Sequence, residues 1–259
     1  MTVALTDLRE GLRLVPVALH FAWGDTRARY RRSVLGPFWL VIGTAVAVAG
    51  LGYLWGAILG IETADYLPTL AIGLVIWQLS SGGITDSPGI LVRHAAVIRN
   101  IRMPVTFFCL QSLLRQLINF AHNALVIVVV LVISRPAWSP VQALAVPGLL
   151  LISVNLLWIM VLLGMLGARF RDLDPLIAAV MPILFFLSPV LFRADQAPVH
   201  PLVIWLNPLS HFITAVRAPL LGEVPPMFVY VVLIGMAAFG WMLTLVVLER
   251  RATRVAFWL

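Results

Sequence analysis

Six stretches of this sequence are apolar and almost free of charge for longer than a soluble helix or strand requires, and no other feature constrains its folding as strongly. They cover residues 33–61, 66–86, 104–134, 142–168, 175–192 and 225–248, and the only charges in them are Asp86, at the end of the second, and Arg115, inside the third. A hydrocarbon core about 30 Å thick is crossed by about 20 residues of helix. Helix is the form expected, because each backbone polar group must be satisfied within the segment itself. A seventh uncharged run, 196–216, is cut by Pro198, Pro201 and Pro208. Proline removes a helical hydrogen bond, so residues 193–224 are expected to form short re-entrant helices between spans five and six.

The balance of residue types agrees. Of 259 residues 61% are apolar and 11% charged, against roughly 25% charged in an average soluble domain. The expected fold is an all-α integral membrane protein with one transmembrane domain over 1–259. The 18 basic residues are all arginine, so the chain has no lysine with which to build a phosphate-binding G-x-x-x-x-G-K-[ST] loop. Its single cysteine, Cys109, offers neither an internal disulfide nor a multi-cysteine metal site.

Arginine also sets the orientation. With both termini on one side, 14 arginines fall on that side. They lie in the arm 1–32 (Arg9, Arg13, Arg27, Arg29, Arg31, Arg32), the connection 87–103 (Arg93, Arg99, Arg102), Arg169 and Arg171, and the tail 249–259 (Arg250, Arg251, Arg254). Arg135, Arg193 and Arg217 fall on the other. The positive-inside rule then puts both ends in the cytoplasm. Asp7, Arg9, Glu10 and Arg13 interrupt any signal-peptide core. Leu5, Leu8, Leu12, Val15 and Leu19 repeat at helical spacing, which predicts an amphipathic helix lying on the membrane surface, kinked or restarted at Pro16, with the basic "RARYRR" toward anionic headgroups.

Five blocks carry a more specific signal: "RYRRSVLGPFW" (29–39), "VIRNIRMP" (97–104), "ARFRDLDP" (168–175), "FFLSPVLF" (185–192) and "NPLSHFITAVRAPLLGE" (207–223). In order and spacing they resemble the ABC-2 type export permeases, in particular the branch that exports O-antigen, capsule, galactan and related polyol-phosphate or cell-wall polysaccharides. The resemblance implies a homodimer with a channel between two six-span subunits. It also implies two copies of a separate ABC ATPase subunit, which would hold ATP and Mg²⁺, and a substrate polymer carried on a polyprenyl diphosphate lipid. No cofactor is expected on this chain and no nucleic-acid partner; the location implied is the bacterial inner membrane.

Each candidate site has a structural alternative. In 87–103, Arg93, His94, Arg99 and Arg102 form either an ATPase-coupling helix, as the resemblance implies, or an ordinary basic loop. About 15 residues suffice for roughly four helical turns. Arg171 and Asp172 make either a second ATPase contact or a structural ion pair. Arg115, Asn119 and His122 share a helical face that Asn123 adjoins, with Asp86 as counter-ion for Arg115; this stripe is either a polar wall of the path or a network joining spans. It lacks the partners a metal site needs. Aromatic residues that could stack on sugar rings along the path, or simply meet lipid, are Tyr53, Trp55, Phe185, Phe186, Trp205 and Phe212. Tyr30, at the head of the first block, joins the gate candidates. Arg217, in the outer segment, belongs either to a gate or to a cap over the dimer.

The competing functions are an ABC-2 exporter of a small lipid or drug, and an intramembrane polyprenyl-lipid transferase. The transferase would need paired carboxylate clusters for Mg²⁺, and Asp172 with Asp174 is the closest acidic pair in the sequence.

Overall fold

The computed structural model describes residues 2–31, 33–36, 38–134, 139–193 and 200–259. Arg32, Pro37, Arg135 and Pro198, which entered the readings above, lie outside the described residues. Helices α1 (Thr2–Arg13) and α2 (Val15–Arg29) lead into α3 (Phe38–Leu59) and α4 (Thr63–Asp86). Two short helices, α5 (Ile90–Arg93) and α6 (Ala95–Asn100), connect to α7 (Val105–Ser134), α8 (Ala145–Arg169) and α9 (Leu173–Leu187). The chain closes with α10 (Pro201–Trp205), α11 (Pro208–Leu220), α12 (Met227–Arg251) and α13 (Val255–Trp258). Among the described residues there is no strand.

Five of these helices are long and apolar enough to cross a membrane: α3, α4, α7, α8 and α12. At 1.5 Å per residue, the 22 residues of α3 reach about 33 Å. The run expected at 175–192 instead gives the 15-residue α9, about 22 Å long. Its helix stops because Ser188 precedes Pro189, which pushes Ser188 into an extended conformation (ψ 147°). The first run likewise begins later than its lack of charge suggested. Ser33 to Gly36 form a turn in which Ser33 Oγ accepts from the Gly36 amide, and Gly36 sits at φ 55°, where a side chain would be strained.

Helix α4 is the most enclosed of the five spanning helices, packed by α3, α7, α8, α9 and α11. Its internal Pro68 leaves the Ala64 carbonyl without a helical donor. Ser134 at the end of α7 supplies one, at 3.3 Å.

The amphipathic N-terminal stretch is broken at Leu14, and Pro16 falls in the first turn of α2, where its missing N–H costs nothing. The packed face differs from the leucine stripe. Leu5, Leu12 and Leu19 are exposed, whereas Ala4, Gly11, Ala18 and Ala22 are buried. These small residues let α1 and α2 approach α7 closely: a Cβ built on Gly11 would come within 2.8 Å of Thr106 Cβ.

Candidate functional site

The arginine-rich segments, far apart in sequence, meet at one end of the bundle. Helix α1 touches the start of α7 and the end of α12, and α13 packs on α6 and α8. Asp7 fixes this junction. Its carboxylate accepts from the Val105 amide at 2.7 Å, the Thr106 amide at 3.1 Å and Thr106 Oγ1 at 2.5 Å, capping α7 from 98 residues away. Burial raises the Asp7 carboxyl above its usual value, and the three bonds from Thr106 and Val105 pull against that. Asp25 of α2 accepts from Gln111 at 2.9 Å, and Glu249 of α12 accepts from the Ala4 amide at 2.9 Å.

Residues 87–103 do not form the single four-turn helix that their length allowed. A 3₁₀ turn, Ser87–Gly89, packs on α8, where Gly167 lies against the Pro88 backbone too closely for a side chain. Helix α5 ends at His94, whose backbone leaves the helical region (ψ 13°) while its ring nitrogen Nδ1 donates to the Ile90 carbonyl at 2.8 Å. His94 also packs on Phe108, with ring centroids 4.9 Å apart, so it faces inward. Beyond it nothing in α6 is buried. Val97, Arg99, Asn100, Ile101 and Arg102 form an exposed knob of mixed apolar and basic character.

Asp86 joins this segment to the membrane helices. One carboxylate oxygen meets Arg93 at 2.7 Å; the other meets Arg115 at 2.6 Å and Ser112 Oγ at 2.5 Å. The expected Arg115–Asp86 pair is therefore accompanied by Arg93, which is tied to α4 as well as exposed. Asp86 and Arg93 are seven residues apart, two helical turns, and that spacing was the signal available in the sequence. Arg171 and Asp172 do not pair. Both are exposed, and among the described residues their side chains make no hydrogen bond or ion pair.

The polar stripe of α7 divides into three. Arg115 belongs to the Asp86 cluster. His122 donates from Nδ1 to the Ile118 carbonyl of its own helix at 2.7 Å. Asn119 and Asn123 line a cavity of about 210 Å³ with Thr44, Gln78 and Gln116. There the contacts close a ring in which each group can donate once: Gln78 Nε2 to Thr44 Oγ1 at 3.2 Å, Thr44 Oγ1 to Asn123 Oδ1 at 3.2 Å, and Asn123 Nδ2 to Gln78 Oε1 at 2.9 Å. Spans α3, α4 and α7 are thus joined by neutral amide and hydroxyl groups.

Phe185 and Phe186 lie beside a residue that sequence reasoning missed. Trp77 stands edge-on to Phe185 at 5.3 Å, and Phe185 edge-on to Phe186 at the same distance. With Ser81 and Thr85 they line an open recess of about 400 Å³ between α4 and α9. It has aromatic faces, two hydroxyl groups and no charge. Of the other aromatic candidates, Tyr53 is exposed and Trp55 and Tyr30 are half-buried. Trp205 is packed edge-on against Phe228 at 4.8 Å.

In the outer segment, two candidates need correction. Phe212 is fully buried and Arg217 is 5% exposed, so neither lines an open path within this chain. Helix α11 is buried nearly all round, not on one face only. Arg217 reaches the Pro189 carbonyl at 2.5 Å and the Phe192 carbonyl at 3.2 Å, and Tyr66 donates to the Leu191 carbonyl. Asn207 caps α11 through the Leu209 amide at 3.0 Å and donates to Ser188 Oγ at 2.8 Å. These side chains strap down the non-helical stretch that follows α9. Glu223, just beyond α11, pairs with Arg193 at 2.7 Å.

Five long apolar helices, three of them joined by a ring of amide and hydroxyl groups, make this a multi-pass membrane protein. Residues 19–221 match the model of the ABC-2 type transporter family, and the chain belongs to that family. It is similar to an O-antigen export system permease protein RfbA of Klebsiella pneumoniae, 23% identical over 195 residues that cover 74% of this chain and 75% of that protein. It is also similar to the RfbA permease of Myxococcus xanthus, 21% identical over 198 residues, 75% and 76% of the two chains.

Proposed function

We propose that this chain is the membrane subunit of an ABC exporter that moves a polyprenyl-diphosphate-linked polysaccharide outward across the bacterial inner membrane. It acts as a homodimer with two copies of an ATPase subunit, and both termini are cytoplasmic. The observation that carries the reading is the pairing of two features on α4: the uncharged recess of Trp77, Phe185, Phe186, Ser81 and Thr85, and the Asp86 cluster at the same helix's end. Aromatic faces and hydroxyls can hold sugar rings weakly enough to let a polymer slide. The Asp86 cluster gives the mechanical link. A push on the exposed Val97–Arg102 knob reaches α4 and α7 through Arg93, Asp86 and Arg115.

The arginine distribution supports the orientation. A sixth crossing consists of α9 followed by Ser188–Phe192. Three of that stretch's carbonyls are satisfied by Arg217 and Tyr66, as non-helical backbone at membrane depth requires. Helices α1 and α2 lie along the cytoplasmic surface with Leu5, Leu12 and Leu19 toward lipid. ATP and Mg²⁺ bind the partner subunit, so this chain is not itself an enzyme.

The test is to co-express the tagged chain with its ATPase and count subunits after purification in mild detergent. A two-plus-two complex whose ATP turnover or assembly is lost with Arg99→Glu is the expected result. A chain that purifies without any ATPase overturns the reading.

A further inference from the structure

At the arginine-rich end a cavity of about 610 Å³ lies between α8 and α12, apart from the recess and the knob. Four arginines line it, Arg169, Arg250, Arg251 and Arg254, and Trp258 closes one side. No carboxylate lines it, and among the described residues none of the four is in an ion pair. Arginines in the last turns of α8 and α12 also complement the helix dipoles. That explains neither Arg254, which lies beyond α12, nor the returning α13, which sets Trp258 5.8 Å from the Arg169 guanidinium. All four are exposed, so water and salt screen much of their mutual repulsion, and a shared anion would relieve the rest.

A second observation points to the kind of anion. The apolar wall of the cavity includes Val246, and the exposed residues Phe239, Met242, Leu243 and Val246 follow one another at helical spacing along α12. They form a continuous apolar track from the cavity toward the middle of the membrane, about 10 Å long at 1.5 Å per residue. A soluble anion has no use for such a track, whereas a lipid tail does. Basic pockets between membrane helices are suited to anionic headgroups, and the volume lies within the range of small-ligand sites.

We infer that this cavity seats the phosphate headgroup of a membrane lipid, with its chain lying along the Phe239–Val246 face of α12. Two lipids share that chemistry: an anionic bilayer phospholipid, and a diphosphate-bearing prenyl carrier. The inference rests on the membrane helices and not on the export reading, so either can fail alone.

The test is native mass spectrometry of the full chain released from micelles containing equal phosphatidylglycerol and phosphatidylcholine. Phosphatidylglycerol should be retained at least about 25-fold over phosphatidylcholine, taking a factor of about five per arginine. The double variant Arg250→Gln/Arg254→Gln should lower that retention about 25-fold on the same basis, and Trp258→Ala should lower it as well. Arg99→Gln/Arg102→Gln, which removes the same charge from the exposed knob, should leave it unchanged. Undecaprenyl diphosphate displacing phosphatidylglycerol would assign the carrier as the source, and failure to displace it would assign the bilayer phospholipid; either supports the site. Equal retention of the two phospholipids overturns it. So does equal loss in the Arg99/Arg102 variant, or displacement by sodium pyrophosphate as readily as by lipid. A cross-link from Arg254→Cys to the ATPase subunit, with no lipid retained by the unsubstituted chain, would make the cavity a protein contact and also overturn the inference.

Discussion

Asp86→Asn separates the two arginines that one carboxylate now holds. The substitution keeps the shape but removes the charge and leaves a single accepting oxygen where Arg93, Arg115 and Ser112 converge at 2.7, 2.6 and 2.5 Å. A hydrogen bond to a charged group is worth about 1.5–3 kcal/mol, less where water competes. Arg93 is 47% exposed and Arg115 18%. The Arg93 pair should therefore contribute under about 1 kcal/mol. Arg115, on a spanning helix and left without its counter-charge, should account for about 2. The expected loss is about 2–3 kcal/mol, read from the denaturant midpoint of the detergent-solubilised full chain by tryptophan fluorescence. Adding Arg115→Gln to Asp86→Asn should recover about 1–2 kcal/mol, because the stranded charge is gone; adding Arg93→Gln should recover only a few tenths. A change below about 0.5 kcal/mol for Asp86→Asn, or equal recovery with both arginines, would refute the assignment of Asp86 as the joint between the knob and the spans.

Gly11→Leu should lift α1 from α7, since even a Cβ meets Thr106 at 2.8 Å. Faster tryptic cleavage at Arg13 would report it, and unchanged cleavage would contradict the packing. Asp7→Ala should cost about 1–2 kcal/mol through loss of the α7 cap. Because burial raises the Asp7 carboxyl above its usual 3.8, the folded state takes up that proton more readily than the unfolded one. Stability from this group is thus fully present below about 3.8 and falls as pH rises through the raised value. The melting temperature of wild type minus that of Asp7→Asn should accordingly increase between pH 7 and 4, and a decrease would contradict the sign. Asn123→Ala opens the ring with Gln78 and Thr44 and should lower stability by about 1–3 kcal/mol in the same unfolding assay. Trp77→Ala should slow glycan transport while ATP turnover continues, and parallel loss of both would argue for a structural role alone.

How much of this was legible beforehand depended on the range of the signal. The long helices followed from uncharged runs, and Arg115 with Asp86 from the cost of a lone charge at membrane depth. Where local backbone chemistry decided, the runs overshot: Pro189 ended α9 early, and the Ser33–Gly36 turn delayed α3. The N-terminal helices were read from their leucines, but the face that packs is the small one, Ala4, Gly11, Ala18 and Ala22. Its spacings of seven, seven and four were present in the sequence. Asp7 could not have been singled out, because its partners at Val105 and Thr106 are distant and a charge on a surface helix needs no partner. Phe212 and Arg217 failed as path-lining candidates because residue type does not reveal whether a re-entrant helix faces a channel or packs inside its own chain.

Inverted membrane vesicles carrying the chain, its ATPase and the lipid-linked polysaccharide test the export claim most directly. On addition of ATP, glycan should move from the outer face to the vesicle lumen, becoming protected from an added glycosidase, and Arg99→Glu should abolish that protection. Protection that develops equally without ATP, or none at all while ATP is hydrolysed, would contradict the account.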